Sequence, residues 1–394
     1  MQKKRLTIVT NNLYSYAGGE KLALDIATGL KEDFEITILN PVSAKDTMLL
    51  DRKKLAKLYN LSGIRIVDLK NLGLKTKVFG GEAFVLKSLT PGALAVFAKE
   101  LKKADLVYTM SLNPLLLLNT VMFSKLFNKK LVLGVHNFSL AKMLESNDSL
   151  KSRIVRGNTL RLLGQIDYFH VTSMRDYKLI RRFFPKAEVR LIPNPIRDEK
   201  KPVRYNAKEF VCLYVGRLEK SQKGIDLLCT AIEQTLKRND KIKFTIVGAG
   251  GDGEKMVSEL AARYKNNVRW LGFLSGKKLD DAYGSASLLA FPSRYDTFSI
   301  ALLESQSKGI PAVAFDIDGA RDVINKPIRG TRVPAFDTRM FSKEVERYSR
   351  LWKDSPNYKK LRERIRNSAY SDYGKEKILG ELKKMFEDAV SSSA

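Results

Sequence analysis

Two runs of alternating strand and helix signals, separated by one interruption, constrain this chain more than any other feature. Arg5 to Thr10 (RLTIVT) reads as a short β-branched strand, followed by a polar and glycine loop and a helix from Glu20 to about Lys31 with Leu22, Ile26 and Leu30 on one face. Further strands are predicted near Glu35 to Asn40, Ile64 to Leu69, Asp105 to Thr109, Leu131 to His136, Tyr168 to Thr172 and Val189 to Ile192. The segment RLIPNPIRDEKKPVRYNAKE, rich in proline and charge, then breaks the pattern and reads as a linker. Afterwards strands resume at Phe210 to Val215, Lys243 to Val247, Val268 to Leu271, Leu288 to Phe291 and Ala312 to Phe315, each trailed by a helix. Strands alternating with helices imply parallel sheets, and apolar strands imply sheets covered on both faces. The fold class expected is α/β, with two doubly wound, Rossmann-like parallel-sheet domains. A length of 394 residues fits, since one domain usually holds about 100 to 200.

Composition excludes several alternatives. The longest apolar candidate, Leu112 to Phe123, is shorter than the roughly 18 residues a membrane span needs and contains Asn113, Pro114, Asn119 and Thr120. The N-terminal MQKKRLTIVT has too short an apolar stretch for a secretory signal, so a cytoplasmic protein is expected. Cys212 and Cys229 fall in a predicted strand and a predicted helix, as buried thiols of a reducing compartment would. The net charge of +27, with +16 of it before residue 196, requires an anionic partner: nucleic acid, lipid head groups or small anionic substrates.

In open parallel sheets ligands bind beyond the carboxyl ends of the strands, and five such loops stand out. NNLYSYAGGEKLAL brings Gly18 and Gly19 to a helix start, where free N–H groups suit an anion, although a plain turn explains the pair as well. VGRLEKSQKGID delivers Gly216, Arg217 and Lys223 beside another helix start, which suits a diphosphate or is a solvated basic loop. TIVGAGGDGEKM places Gly248 and Gly250 after a strand, without the full dinucleotide fingerprint. FPSRYDTFSIALLESQSKGIPAVAF sets Asp296 and Glu304 eight positions apart with a helix start between them, and carboxylates accept from sugar and ribose hydroxyls. LVLGVHNFS ends a strand at His136, one of only two histidines; it reads as a cleft-facing donor or as a satisfied structural histidine. His170, within YFHVTS, reads as core or edge structure.

Taken together and in order, the early GGE, His136, IPNP at Ile192 to Pro195, GRL…KG, VGAG, LGF at Leu271 to Phe273 and the segment from Asp296 to ALLESQSKGIPAVA resemble the retaining glycosyltransferases of family four, or group 1 type, with the GT-B fold, which include lipid-glycan mannosyl- and glucosyltransferases. The resemblance covers nearly the whole chain. It implies two domains facing across a cleft: an acceptor-binding domain over residues 1–192 joined by the C-terminal helix 375–394, a linker over 193–208, and a donor-binding domain over 209–374. It implies transfer of a hexose-type sugar from a UDP- or GDP-sugar to a glycan or lipid-linked acceptor, with no metal. Arg217 and Lys223 are implied to neutralise the donor diphosphate and Glu304 to bind its ribose. Asp296 is implied to hold sugar hydroxyls, with the amides of Phe298 and Ser299, and His136 to contact the transferred sugar. Gly19, Gly216, Gly248, Gly250 and Phe273 complete the implied donor site. Two positions depart from the family: Asp296 stands where Glu is usual, and Asn137 where Asp is frequent.

Asp316-Ile317-Asp318 has the spelling of a DxD metal site but reads as a loop and cap. An NAD-dependent enzyme, a sugar-nucleotide epimerase and a basic nucleic-acid binder are the competing readings; no nucleic acid is expected. Phe123, Leu126 and Phe127 at helical spacing, with Lys125, Lys129 and Lys130 alongside and a second cluster at Arg52, Lys53, Lys54 and Lys57, read as a surface that docks on the anionic inner face of the cell membrane; a core face with solvated lysines is the alternative.

Overall fold

The computed structural model describes residues 3–15, 18–43, 51–72, 74–77, 83–86, 88–136, 144, 150–197, 209–353 and 355–392. The chain divides into two compact units, Met1–Asn194 with Glu376–Ala394, and Pro195–Lys375. Within the linker region, residues 198–208 lie outside the described residues, as does Asn137.

The first unit is built on strands β1 (Lys4–Val9), β2 (Phe34–Val42), β3 (Ile64–Lys70), β6 (Leu106–Thr109), β7 (Lys130–Val135), β8 (Tyr168–Val171) and β9 (Glu188–Leu191). They form one sheet in the order β3-β2-β1-β6-β7-β8-β9, and each pairing is parallel. A short antiparallel pair, β4 (Leu74–Lys77) and β5 (Ala83–Leu86), stands apart from it. Helices α1 (Gly18–Leu30), α2 (Arg52–Leu58), α3 (Pro91–Lys103), α4 (Pro114–Leu126), α5 (Leu150–Leu163) and α6 (Met174–Phe183) connect the strands.

Because successive strand residues point to opposite faces, the sheet carries two apolar layers. Leu6 and Ile8 pack with Leu22 and Ile26 of α1, Leu55 of α2 and the last helix of the chain; Val9, Val107 and Leu133 pack with Phe97 of α3 and Val121 of α4. That last helix is α14 (Lys375–Ser391), which supplies Leu382, Met385 and Phe386 to the first unit's core. Phe386 is fully buried, edge-on to Phe34, and such burial contributes about 1.5–3 kcal/mol.

The second unit has strands β10 (Val211–Val215), β11 (Lys243–Val247), β12 (Val268–Trp270), β13 (Leu288–Phe291), β14 (Ala312–Phe315) and β15 (Gly330–Val333), all parallel in the order β12-β11-β10-β13-β14-β15. Helices α7 (Ile225–Leu236), α8 (Glu254–Arg263), α9 (Lys277–Gly284), α10 (Ile300–Ser307), α11 (Asp318–Val323), α12 (Thr338–Lys353) and α13 (Ser355–Tyr373) cover both faces. This is the doubly wound α/β architecture twice over. In each sheet the strand order reverses at one point, between β1 and β6 and between β10 and β13, and ligand crevices open at such switch points.

Helix α4 corrects the reading of its sequence. Phe123 and Phe127 turn inward, stacked on each other at 5.9 Å between centroids and packed against the core, whereas Leu126 is 69% exposed. The three therefore share no outer face. The helix PLLLLNTVMFSKL is apolar almost all round, and its outer stripe is Leu118, Met122 and Leu126, four residues apart each time. The basic cluster of α2 lies on the opposite layer of the sheet, because Leu55 belongs to the other core.

Candidate functional site

In the second unit the loops after β10, β11 and β13 converge. The peptide N–H of Leu218 donates to the Gly250 carbonyl at 2.9 Å, and that of Arg294 to the Gln222 carbonyl at 2.8 Å. Gly248 has φ 149°, and a side chain there would run into the Gly216 carbonyl, so the two strand ends meet only because this position is glycine. Gly216 N–H donates to the Val247 carbonyl at 3.0 Å, and Trp270 Nε1 to the Gly248 carbonyl at 2.9 Å. Gly250, at φ 75°, follows directly.

Onto this frame the sequence places its charges. Lys223 Nζ lies 2.9 Å from Asp296 Oδ2, with the two side chains only 19% and 17% exposed. The pair joins the loop before α7 to the loop after β13. Arg217 is more open and is aimed by Gln222, whose Oε1 accepts at 2.6 Å, and by Glu219 at 3.1 Å. A clamp that sequence reasoning missed holds the two loops in register. Arg294 makes a two-pronged contact with Asp226 at 2.7 Å on each side and donates to the Lys220 carbonyl at 2.6 Å, which holds the Asp226 carboxyl below its ordinary range.

Helix α10 begins at Ile300 with Ser299 as its cap, the Ser299 hydroxyl accepting from Leu302 N–H at 3.3 Å. Phe298 is buried edge-on to Tyr373, and Glu304 lies one turn further in, lining a small cleft with Pro195, Arg197 and Ile300. The Tyr283 hydroxyl donates to Glu304 Oε2 at 3.0 Å, a contact that joins α9 to α10 and that the sequence does not signal. Phe273 stands 69% exposed after β12. Asp316 is held by Arg321 at 3.0 Å and Arg332 at 3.2 Å, and Asp318 opens α11; their carboxylates are spent on guanidinium groups. Among the described residues no three His, Cys, Asp or Glu side chains gather as a metal ligand set.

In the first unit a cavity of about 130 Å³ lies at the switch point, lined by Thr10, Asn11, Gly19, Glu20, Met110 and His136. Gly18 and Gly19 form the first turn of α1 and do not precede it. His136 Nε2 lies 3.0 Å from the Tyr108 hydroxyl, which in turn lies 2.8 Å from His170 Nδ1. His170 is fully buried, yet it is joined to the cavity through Tyr108. In the second unit Lys223 and Asp296 are thus brought into contact, while Arg217 lies against Gln222 and Glu219 and Glu304 lines the cleft beside Pro195; in the first, Gly19 and His136 line one cavity.

Residues 195–372 match the family of glycosyl transferases group 1. The second unit belongs to that family. The chain is also similar to mannosyltransferases of other organisms. A GDP-mannose-dependent alpha-mannosyltransferase of Corynebacterium glutamicum is 30% identical over 204 residues, 52% of this chain and 42% of the relative. A phosphatidyl-myo-inositol mannosyltransferase of Mycobacterium leprae is 32% identical over 127 residues, 32% of this chain and 33% of the relative. The chain thus spans well under half the length of these relatives. Among solved structures, HepE of Anabaena in complex with UDP superposes with a TM-score of 0.72 over 98% of this chain and 100% of its own, at 15% identity, which establishes the GT-B fold for the whole chain.

Proposed function

We propose that the protein is a retaining glycosyltransferase that moves a hexose-type sugar from a UDP- or GDP-sugar to a glycan or lipid-linked acceptor in the synthesis of a cell-surface glycan or glycolipid. The observation that carries this reading is the convergence of Arg217, Lys223 and Asp296 on one strand-end crevice, with Glu304 on the helix that starts there. The relatives named for mannosyl transfer, and the neighbour holding UDP, support a nucleotide-sugar donor. In this reading the second unit binds the donor and the first the acceptor.

The acceptor hydroxyl oxygen forms a bond to the anomeric carbon as that carbon's bond to the β-phosphate oxygen breaks. The bonding electrons leave with the diphosphate, and the hydroxyl proton passes to a phosphate oxygen on the same face, so configuration is retained and no enzyme nucleophile is required. Arg217 and Lys223 meet the charge that develops on the leaving group, a type of stabilisation worth about 10²–10³ in rate per donor. Lys223 leaves Asp296 for the phosphate, which releases the carboxylate to accept from sugar hydroxyls. Glu304 accepts from the ribose and the Phe298 and Ser299 amides approach the sugar, while Gly19 admits the phosphates and His136 the sugar on the side of the first unit. The glycines 216, 248 and 250 and Phe273 shape the nucleotide's bed. Two cations in place of a metal mean that a chelator leaves turnover unchanged. Incubation with a panel of UDP-, GDP- and ADP-hexoses tests the reading: one donor should release its nucleoside diphosphate, and release from none would overturn it.

We also infer docking at the cytoplasmic face of an anionic membrane through α4. No helix among the described residues is long and apolar enough to cross a membrane. Leu118, Met122 and Leu126 form an exposed apolar stripe with Lys125 beside it, and Val96 and Lys99 are exposed on α3, which packs against α4. Each such cation contributes on the order of 1 kcal/mol near an anionic leaflet. Sedimentation with vesicles containing phosphatidylserine should pull the protein down, less so in high salt or after Leu126→Glu; equal indifference to neutral and anionic vesicles overturns the docking.

A further inference from the structure

The cavity beside β1 and β6 ends on a chain of three polar groups whose protons can be assigned one by one. The Ile192 carbonyl can only accept, so His170 Nε2, at 2.8 Å, carries a proton and donates it. Burial lowers the His170 imidazole to about 4, so near pH 7 the ring is neutral and its Nδ1 holds a lone pair. The Tyr108 hydroxyl, 2.8 Å away, must then donate its single proton to that lone pair. Burial also pushes the Tyr108 phenol well above its ordinary range, which keeps this proton in place. Its oxygen is left as an acceptor for the next nitrogen, His136 Nε2, at 3.0 Å.

The His136 ring is neutral too, held well below its ordinary range by burial and by His170 beside it. A neutral imidazole has one N–H, and here it is spent on Tyr108. Nδ1 of His136 is therefore a bare lone pair, and it is a buried atom with no hydrogen-bond partner among the described residues. The sheet makes room for this arrangement at Gly134 of β7. A Cβ there would stand 2.5 Å from both His136 Nε2 and the Tyr108 hydroxyl, so any other residue would occupy the junction of the two.

We propose that Tyr108 and His170, anchored on the Ile192 carbonyl, are positioning residues that fix His136 as its Nε2–H tautomer, so that Nδ1 of this cavity-lining ring is left as a hydrogen-bond acceptor that selects a ligand able to donate there. The ligand class rests on the transferase reading: the donating group is a hydroxyl of the transferred sugar. The tautomer does not rest on it. Fixing the tautomer spares the ligand the energy of reorganising the ring, and a site built to bond a hydroxyl rejects an analogue that lacks the proton.

Only two histidines occur in the chain, so nitrogen-15 labelling of histidine gives two imidazoles, assigned by His136→Gln and His170→Gln. Both rings of the free protein should carry their proton on Nε2. In Tyr108→Phe, His170 should keep that tautomer on the Ile192 carbonyl while His136 relaxes to a mixture. A wild-type His136 protonated on Nδ1, or one that stays a single tautomer in Tyr108→Phe, overturns the relay. The ligand is probed with deoxyfluoro analogues of UDP- and GDP-hexoses, in which fluorine accepts but cannot donate. At one ring position the substitution should weaken binding at least about tenfold in the wild type and much less in Tyr108→Phe. Binding of the parent sugars with indifference to fluorine at every position overturns the selection. Failure of every parent nucleotide sugar to bind counts against the transferase reading alone and leaves the tautomer result standing.

Discussion

Asp296 and Lys223 show how far single residues were legible. Their types and their places after two strands marked them as a sugar and a phosphate ligand, but no spacing announces that they pair with each other at 2.9 Å. Tyr108 carried no signal at all, since in DLVYTM it is one more residue of a buried strand, and His170 read as structure for the same reason. Both depend on which strands become neighbours. The neutrality of the two imidazoles gives a prediction at this scale. The folded His170 value of about 4 lies below the 6.5 of an unfolded imidazole, so the unfolded chain takes up a proton first as pH falls. The stabilisation is then complete above 6.5 and is lost as pH drops toward 4, on the order of 3 kcal/mol for this group. Titration followed by NMR should show both imidazole signals flat between about pH 8 and 5.5 while the melting temperature declines below about 6.5. An inflection near 6.5 in either ring would contradict the buried neutral pair.

At the scale of elements, the alternation of apolar strands with helices located each parallel strand of both sheets except β15, usually within one or two residues. Strand β15 escaped because it opens on a glycine and follows a short proline-containing turn, and β4 and β5 because they form a separate antiparallel pair outside the alternation of strand and helix. Facing was harder to read than existence. In α4 a helix apolar on nearly every side gave no indication of which three residues turn outward, and the core took Phe123 and Phe127. Loops too are elements here, and the Arg294–Asp226 clamp, with Arg294 also on the Lys220 carbonyl, ties the loop before α7 to the end of β13. Arg294→Ala removes a bidentate pair that is partly open to solvent, and should cost about 1 kcal/mol in denaturant unfolding. It should also raise the donor KM several-fold, because Lys223 and Asp296 lose their mutual register. An unchanged KM would show that the clamp serves stability alone.

For the molecule as a whole, two doubly wound units with reversed strand order at β1/β6 and β10/β13 explain why the chemistry-bearing residues of each unit gather at one edge of its sheet. Of the residues behind the net charge of +27, Arg217 and Lys223 stand at the strand ends of the second unit, and Lys125 and Lys99 are exposed on α4 and α3. In the transferase reading, the second unit holds a nucleoside-diphosphate sugar through Lys223 and Glu304. Titration calorimetry of UDP- and GDP-hexoses into the wild type, Lys223→Ala and Glu304→Gln checks this, with melting temperatures as the control. One sugar nucleotide should bind the wild type, and each variant should bind it at least tenfold more weakly, about 1.4 kcal/mol, while melting within a few degrees of the wild type. Equal binding by all three proteins, or no binding of any nucleotide sugar to the wild type, would contradict the claim.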